Sequence, residues 1–256
     1  MKEEEDGQVL YSVEGARALI TLNRPEKRNA LNDAVISGLK ESLRRADDDE
    51  SVRVIAITGA GADFCSGADL SALHKISQAS VMENLEDARS LMELFALMRR
   101  VRVPVVAAVR GRALAGGCGL ATACDLVLAS SGARFGYPEV KIGFVPAMVM
   151  AILRRNVTEK RAFELITRGL EISADEAASF GLINQVFDED GFEENVNSYV
   201  AAFEKMSRSA IALSKHLLYH IDGMTFDAAL ESGADLNAIA RMTEDCQRGI
   251  ARFLKK

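Results

Sequence analysis

The stretch "AGGCGLATACDLVLA", residues 115–129, places three glycines at the start of a segment that otherwise has the small and apolar residues of a buried helix and a strand. A glycine inside a helix costs about 1 kcal/mol relative to alanine. Gly116, Gly117 and Gly119 therefore need a reason to be there. Either the backbone packs closely against another part of the chain, or it must come within hydrogen-bond range of a ligand.

Composition limits the kind of protein that the sequence can encode. The chain has 256 residues, of which 48% are hydrophobic and 27% charged, as in proteins with a sizeable core. Its net charge of −6 argues against nucleic acid as a partner, and its uncharged stretches are far shorter than the ~20 residues of a membrane span. The acidic start "MKEEEDGQ" lacks the features of a signal peptide, and the four cysteines form no CxxC pair. We expect a cytoplasmic protein with free thiols and no metal site.

Hydrophobic periodicity predicts an α/β arrangement for the first three quarters of the chain. Residues 8–23 have the alternation of a β-hairpin, and residues 52–59 and 103–111 are typical of buried strands. Asn32 is a predicted cap for a helix that continues to about residue 47, and residues 81–101 have the spacing of a long amphipathic helix.

After residue 146 the pattern becomes almost wholly helical, with "GLINQVF" at residues 181–187 as the last plausible strand. Ser173 and Glu176 have the spacing of a capping box, and only helices are expected beyond residue 190. We predict an α/β core at residues 1–190 and a helical C-terminal region at residues 191–256, packed as one body. The predicted caps of the C-terminal helices are Ser209, Thr225 and Thr243.

Two glycine-rich loops each follow a predicted strand and precede a predicted helix. They are "GAGADFCSGAD" at residues 59–69 and "GRALAGGCG" at residues 111–119. A dinucleotide site is excluded because Phe64 stands where the third glycine of GxGxxG is needed, and no P-loop GK[ST] occurs. Two explanations stay open. The loops are tight, closely packed turns, or each offers one backbone N–H to the same oxygen and forms an oxyanion hole for a thioester or ester carbonyl.

Five segments follow one another along the chain: "LNRPEKRNAL", "FCSGADL", "AGGCGLATACDLVLA", "FGYPEVKIGFVP" and "AFELITRGLEISADEAASFGLINQVF". In these segments and their order the chain resembles the enoyl-CoA hydratase/isomerase (crotonase) superfamily over nearly its whole length. The resemblance implies a crotonase-like α/β fold, a spiral of ββα turns with a helical C-terminal trimerisation region. It also implies a homo-trimer or dimer of trimers, an acyl-CoA thioester as substrate, and no metal or redox cofactor.

The resemblance also assigns residues to the site. The two oxyanion N–H groups correspond to Ala68 and Gly116. Lys27 or Arg28 is expected to reach the phosphates of coenzyme A, with a solvated charge pair beside Glu26 as the alternative. The residues implied to bind the substrate are Lys27, Arg28, Ala68, Asp69, Leu70, Ser71 and Gly116.

The number of glutamates in the site distinguishes two reactions of the family. Its hydratases carry two glutamates, and the corresponding positions here are Gly119 and Glu139. Adding water calls for a base on one side and an acid on the other. One glutamate suffices to move a proton between two carbons, and the family's mitochondrial isomerases likewise lack an acid at the first position. The resemblance thus favours Δ3-to-Δ2 isomerisation with Glu139 as proton shuttle, and Gly119→Glu is expected to create hydration.

Glu139 also has an alternative as a surface carboxylate near Lys141. Its place among apolar neighbours argues for a buried site, where its pKa would rise toward the operating pH. Hydration stays the main rival, because Glu139 could act with another group. The residues considered for that group are Asp69, expected to orient its loop, His74, expected on an exposed helix face, and Tyr137, which could donate a hydrogen bond or simply pack.

Other activities are disfavoured. A thioester hydrolase of the family would have an aspartate where Ala147 stands, and the absence of tryptophan weakens the analogy to aromatic acyl-CoA dehalogenases. His216 and His220 have i,i+4 spacing but lack the zincin glutamate and a third ligand. The second class of function is a non-catalytic acyl-CoA-binding protein, which Gly119 suggests and Glu139 argues against.

Overall fold

Two β-sheets hold the elements together in the structure, a computed structural model that describes residues 7–255 except for the side chain of Leu70. The strands are β1 (Val9–Glu14), β2 (Arg17–Leu22), β3 (Val54–Gly59), β4 (Val105–Val109), β5 (Arg112–Leu114), β6 (Leu126–Ser130), β7 (Arg134–Gly136), β8 (Glu171–Ser173) and β9 (Gln185–Phe187). The acidic residues 1–6, on which the prediction about a signal peptide rests, lie outside the described range.

Helices surround the sheets and dominate the second half of the chain. They are α1 (Asp33–Asp48), α2 (Leu70–Gln78), α3 (Val81–Arg100), α4 (Gly116–Ala123), α5 (Ala147–Asn156), α6 (Glu159–Arg168), α7 (Ala174–Ser179), α8 (Phe192–Ala201), α9 (Arg208–His220), α10 (Phe226–Arg241) and α11 (Glu244–Leu254). Two short 3-10 turns, Pro25–Lys27 and Pro138–Ile142, lie next to the site described below. Within residues 7–255, none of these helices combines the length and the hydropathy that crossing a membrane requires.

The larger sheet has the order β1-β2-β3-β4-β6-β9. Its first pair is the predicted antiparallel hairpin, with Glu14 opposite Arg17, and the other neighbours run parallel. Strand β4 has the sequence VVAAV and is buried throughout, as expected for a parallel strand covered on both faces. The smaller sheet has the order β5-β7-β8, in which β5 and β7 are parallel.

The two faces of the larger sheet bury different helices because side chains alternate along each strand. Val105 faces the main core, together with the apolar faces of α1 and α3. Val106 faces the other side, where Phe192 and Val196 of α8 cover it. The predicted boundary between residues 190 and 191 therefore falls just before a helix that packs directly on the sheet.

Most of the helix caps agree with the sequence analysis. The side chain of Asn32 accepts the Val35 N–H at 2.9 Å, and both members of the Ser173–Glu176 capping box are in place. Thr225 and Thr243 cap α10 and α11 as predicted. The prediction of Ser209 as a cap is wrong. Helix α9 begins at Arg208 and is capped by Ser207, so Ser209 lies within its first turn, where its hydroxyl donates to Asp245 at 2.9 Å.

A buried lysine fixes α9 to the core. The Lys215 ammonium lies 2.7 Å from an Asp125 carboxylate oxygen and donates to the carbonyl oxygens of Met98 at 2.9 Å and Val103 at 3.1 Å. Tyr219, one turn further on, donates to the other Asp125 oxygen at 2.6 Å. Burial lowers the pKa of Lys215, and the Asp125 charge opposes that shift. The charge pair joins the helical region to the strand ends beneath it.

Replacing Lys215 by methionine is expected to lower the free energy of unfolding by about 3 kcal/mol, since one partner of a buried pair is then left without its counter-charge. Denaturant unfolding followed by circular dichroism measures this change. Lys205→Met, at an exposed lysine, is the matched control and should change little. Equal effects of the two substitutions would contradict the role given to Lys215.

Candidate active site

Three short parallel segments end at the same place. Strands β5 and β7 pair with Leu114 opposite Gly136, and Cys65 forms a parallel bridge to Ala113 on the other side of β5. The carboxyl ends of neighbouring parallel strands lie at one edge, which is where α/β proteins bind ligands. The chain continues from these three ends into Ala68, Gly116 and Glu139.

The two glycine-rich loops touch each other through glycines. Gly67 has a φ of +96°, and a Cβ atom on it would lie 2.7 Å from the Cβ of Ala115. A Cβ on Gly117 would lie 2.7 Å from the Cβ of Cys65 and would overlap the carbonyl of that residue. Such contacts are too short for any larger side chain. These two glycines are explained by close packing between the loops.

Ala115 connects β5 to α4 with an unusual backbone. Its φ of +50° and ψ of −128° lie in a region that favours glycine, at a cost of about 1–3 kcal/mol. Hydrogen bonds hold the residue there: its N–H donates to the Gly136 carbonyl at 2.8 Å, and its carbonyl accepts the Gly119 N–H at 3.0 Å. This conformation determines where the N–H of Gly116 points at the start of α4.

The loops offer two backbone donors. On either side of Ala68 the chain is fixed to Leu31, through a bond from the Leu31 N–H to the Gly67 carbonyl at 2.7 Å and one from the Asp69 N–H to the Leu31 carbonyl at 2.9 Å. Among the residues that the structure describes, the N–H groups of Ala68 and Gly116 have no acceptor. Gly116 also begins a helix, whose N-terminal end favours negative charge.

Ala68, Gly116 and Glu139 line one cavity of about 660 Å³. Its walls are the start of α1, helices α2 and α3, the two loops and the segment from Pro138 to Val149. This volume is typical of a small-molecule site. Much of the wall is apolar, with Leu73, Ile76, Leu91, Phe144, Val145 and Met148 among the lining side chains.

Glu139 is the acid-base candidate of this cavity. It lies in the Pro138–Ile142 turn, and its carbonyl accepts the Phe144 N–H at 3.0 Å, which closes the segment over the cavity. Its Oε2 atom is buried and has no hydrogen-bond partner within residues 7–255. Burial raises the pKa of Glu139 above its ordinary value. A carboxyl group with a raised pKa and an unused oxygen can both accept and return a proton.

Gly119 has a different neighbour from the other glycines. A Cβ atom at this position would overlap Cγ1 of Val149, and it would lie 3.3 Å from the Val149 Cβ and 3.4 Å from Cζ of Phe95. Val149 belongs to α5, is buried and lines the cavity. A valine side chain from another helix thus occupies the space that a longer residue at 119 would need.

Asp69 supports the first loop from behind. Its carboxylate accepts the Ser71 N–H at 2.9 Å as the cap of α2 and pairs with Arg24 at 2.5 Å. The bond from the Ser71 backbone and the Arg24 guanidinium lower the pKa of Asp69 to about 2. Asp69 and Ser71 are not among the cavity-lining residues, and the Ser71 hydroxyl donates to Asp69 at 2.9 Å. This geometry suits the expectation that Asp69 orients the loop.

The remaining predicted residues lie around the site or outside it. Lys27 and Arg28 have exposed side chains that do not line the cavity, although the Arg28 carbonyl accepts the N–H of the lining residue Ser66 at 3.0 Å. Leu70 begins α2, but its side chain lies outside the described structure. The binding roles given to these residues stay predictions.

The histidines and the tyrosine that the sequence analysis considered for other roles do not line the cavity. His74 is exposed on α2. Tyr137 is buried and lies 3.2 Å from the Thr122 hydroxyl, so it packs beneath the cavity and does not line it. His216 and His220 stack on an exposed face with ring centroids 5.4 Å apart, and no group of three or more metal-ligating side chains occurs in the described part of the chain.

Sequence analysis missed two acidic residues of the lining. Asp33 and Asp87 face the cavity from α1 and α3, and both lie near Lys75, at 2.7 Å and 4.0 Å. A signal for Asp87 was present in the sequence. It is four residues before Leu91 and one turn after Asn84, so all three share one helix face.

The thiols of the two loops are inaccessible. Cys65 and Cys118 are fully buried, and burial raises the pKa of each thiol to about 12. Such cysteines have little thiolate at neutral pH and pack as small apolar residues.

Comparison with known proteins identifies the family to which this arrangement belongs. The model of the family described as enoyl-CoA hydratase/isomerase matches residues 13–256. The chain belongs to the enoyl-CoA hydratase/isomerase family. A solved structure of an enoyl-CoA hydratase from Mycobacterium smegmatis superposes with a TM-score of 0.92 at 29% identity and covers 98% of this chain and 97% of its own. The predicted family and the crotonase-like fold are confirmed.

Relatives in the family carry hydratase names. A Thermus thermophilus protein named provisionally as an enoyl-CoA hydratase is 39% identical over 94% of this chain and 96% of its own length. The 2,3-dehydroadipyl-CoA hydratase of Escherichia coli is 35% identical over 93% and 92%. The protein is thus an acyl-CoA enzyme of the hydratase/isomerase family.

Gly67→Ala is expected to separate the two loops and to lower turnover of an acyl-CoA substrate about 100-fold, the scale of losing one oxyanion donor. Steady-state kinetics together with the melting temperature measures it. Gly223→Ala is the matched control, because Gly223 also has a positive φ, of +107°, but nothing lies within 4 Å of its added Cβ. The control should lose stability through backbone strain and keep its activity; equal losses of activity would contradict the role of loop contact.

Proposed function

We propose that the protein isomerises enoyl-CoA thioesters by moving the double bond from Δ3 to Δ2. The observation that carries this proposal is the half-buried Glu139, whose Oε2 atom is buried without a hydrogen-bond partner in the described structure and which lines one cavity with Ala68 and Gly116, whose N–H groups have no acceptor there. A thioester carbonyl bound by the two N–H groups would place its acyl chain against the apolar wall.

The reaction then uses one carboxylate twice. Glu139 takes a proton from C2 of the 3-enoyl thioester, and the electron pair moves into a dienolate whose oxygen accepts hydrogen bonds from Ala68 and Gly116. The protonated Glu139 gives the proton to C4, which leaves the double bond between C2 and C3. No atom is gained or lost and no carbon is oxidised overall, so the proposed reaction calls for neither a metal nor a redox cofactor.

The surroundings of the three lining carboxylates support this choice of shuttle. Asp33 and Asp87 lie near the Lys75 ammonium, at 2.7 Å and 4.0 Å. The Oε2 atom of Glu139 has no hydrogen-bond partner in the described structure, and burial raises the pKa of this residue. Of the three, Glu139 is the one that has no cation beside it among residues 7–255 and a raised pKa, which suits a group that takes up and releases a proton.

Hydration of 2-enoyl-CoA is the second candidate. The hydratase names of the Thermus and Escherichia coli relatives favour it. In that reaction the water oxygen bonds to C3 and a hydrogen is added to C2, with Glu139 and a second group sharing the proton transfers. A third candidate, a protein that binds acyl-CoA without turning it over, is motivated by Gly119 alone.

Glu139→Gln is expected to abolish turnover and to leave binding of a CoA thioester intact, because the amide keeps the shape of the side chain but cannot carry the proton. Purified protein is incubated with 3-enoyl-, 2-enoyl- and 3-hydroxyacyl-CoA, and the products are separated by chromatography. Glu231→Gln, at an exposed glutamate, is the control. Unchanged turnover in Glu139→Gln removes the proposed shuttle, and wild-type product from hydration alone establishes the second candidate.

The pH dependence gives an independent measurement. Glu139 must be ionised to accept the first proton, so kcat/KM should rise with pH through the pKa of this residue. Because burial raises that pKa, the midpoint of the acid limb is expected above 4.5. An acid limb at or below 4.5 would show that another group limits the rate.

We also propose that the chain assembles as a homo-trimer or a dimer of trimers in the cytoplasm. The C-terminal helices support assembly, because Phe226, Met242 and Phe253 are each more than three quarters exposed in the single chain, at 77%, 79% and 78%. Large exposed apolar surfaces mark interaction sites. The four free cysteines suit a reducing compartment.

Light scattering coupled to size-exclusion chromatography should give three or six times the mass of one chain. Phe253→Glu is expected to weaken the assembly, since it places a charge on the apolar surface of α11. A monomeric wild type would overturn the proposed assembly.

A further inference from the structure

We infer that Val149 is a specificity-determining residue, which keeps water from the space beside Gly119 and so selects proton return to the acyl chain over addition of water. The inference rests on the proposed function, because it explains how one site could favour isomerisation. It concerns a residue of α5 that lies thirty positions beyond Gly119.

The side chains of α4 and α5 compete for one space beside Gly119. A Cβ at position 119 would overlap the Val149 Cγ1 atom, so the two residues share a single volume: a side chain can extend from α4 or from α5, but not from both. Val149 is only 4% exposed, and its apolar side chain fills that volume. The Phe95 ring lies behind it, with Cζ 3.4 Å from the same point.

The side chains near Val149 are poor partners for a bound water molecule. A water held in a protein interior needs two to four polar partners. Val149 offers none, and the neighbouring lining residues Met148 and Val145 are apolar as well. Glu139 is the carboxyl group of the wall from Pro138 to Val149, whereas the other lining carboxylates, Asp33 and Asp87, lie on α1 and α3 near Lys75. One carboxyl group on the wall that includes Val149 is too little to hold and orient a water against C3 of the acyl chain.

Gly119→Glu alone is therefore a poor test of hydration, because the new side chain meets Val149. In Val149→Ala the overlapping Cγ1 is gone and the remaining Cβ lies 3.3 Å from the new one, a contact that shifts of a few tenths of an ångström relieve. The effect of Gly119→Glu on hydration should consequently depend on which residue stands at position 149. Val149→Thr tests the wall by itself, because threonine has nearly the same shape as valine and adds a hydroxyl group.

The experiment measures two products for each variant: 2-enoyl-CoA formed from 3-enoyl-CoA, and 3-hydroxyacyl-CoA formed from 2-enoyl-CoA. The ratio of hydration to isomerisation is expected to rise at least about tenfold in Val149→Ala and Val149→Thr, the lower end of what one group in an apolar pocket contributes to discrimination. It should rise further, about 100-fold, in Gly119→Glu with Val149→Ala, where a second proton-transfer group is present. Gly119→Glu alone should be less stable than this double variant and gain less hydration.

Val157→Thr is the matched control. Val157 is buried at the end of the same helix and does not line the cavity, so its substitution has the same chemistry without access to the substrate. The melting temperature of every variant separates loss of fold from change of reaction. The ratio of products should stay at the wild-type value in the control.

A second readout follows the proton itself. In heavy water, wild-type isomerisation should place little deuterium at C4, since Val149 limits exchange of the Glu139 proton with solvent. Val149→Ala should raise that incorporation, and Val157→Thr should not. A structural role for Val149 would change stability without changing this labelling.

The outcomes separate the inference from the function on which it rests. A wild type that isomerises, with the same product ratio in the folded Val149 variants, overturns the inference and leaves the proposed function standing. A wild type that hydrates rapidly overturns both. If the wild type yields no product, the proposed function fails, and the Val149 variants decide the inference: new hydration supports it, and its absence overturns it.

Discussion

The site depends on two stretches of backbone lying closer together than side chains would allow. Gly67 and Gly117 let the loops after β3 and β5 touch, and Ala115 holds a strained conformation between them. Through this contact Ala68 and Gly116, which belong to separate loops, line the same cavity. The parallel pairing of β5 with β7 then adds Glu139 at the same edge, so a few hydrogen bonds between short segments assemble the whole constellation.

Electrostatics divides the acidic residues near the site into two groups. Asp69 receives hydrogen bonds and faces Arg24, which hold its pKa near 2 and keep it ionised as a support of the loop. Glu139 lies among apolar neighbours, and burial raises its pKa. Environments that push carboxyl pKa values apart commonly distinguish a structural or electrostatic group from one that exchanges protons. The sequence motifs identified both residues as candidates for the site, but only their contacts in the structure distinguish their roles.

Sequence reasoning identified the elements with strong local signals and missed those that tertiary contacts create. The hairpin and the Asn32 cap follow from alternation and from a single side chain, whereas three-residue strands such as β5 are too short to have a period. Ser207 and Ser209 both lie at the start of α9 and both hydroxyls donate to Asp245, so the local sequence does not show which of them precedes the first helical residue. The neighbour that explains Gly119, Val149, belongs to another helix, so no local pattern could have named it.

The buried cysteines give the two loops an internal probe. Cys65 enters the first loop and Cys118 lies just inside α4, and thiols with a pKa of about 12 react extremely slowly with alkylating reagents while the fold is intact. The rate at which such a reagent labels them therefore reports how often this corner of the molecule opens, apart from global unfolding. A ligand that spans both loops would slow that labelling, which makes occupancy of the site measurable without any turnover.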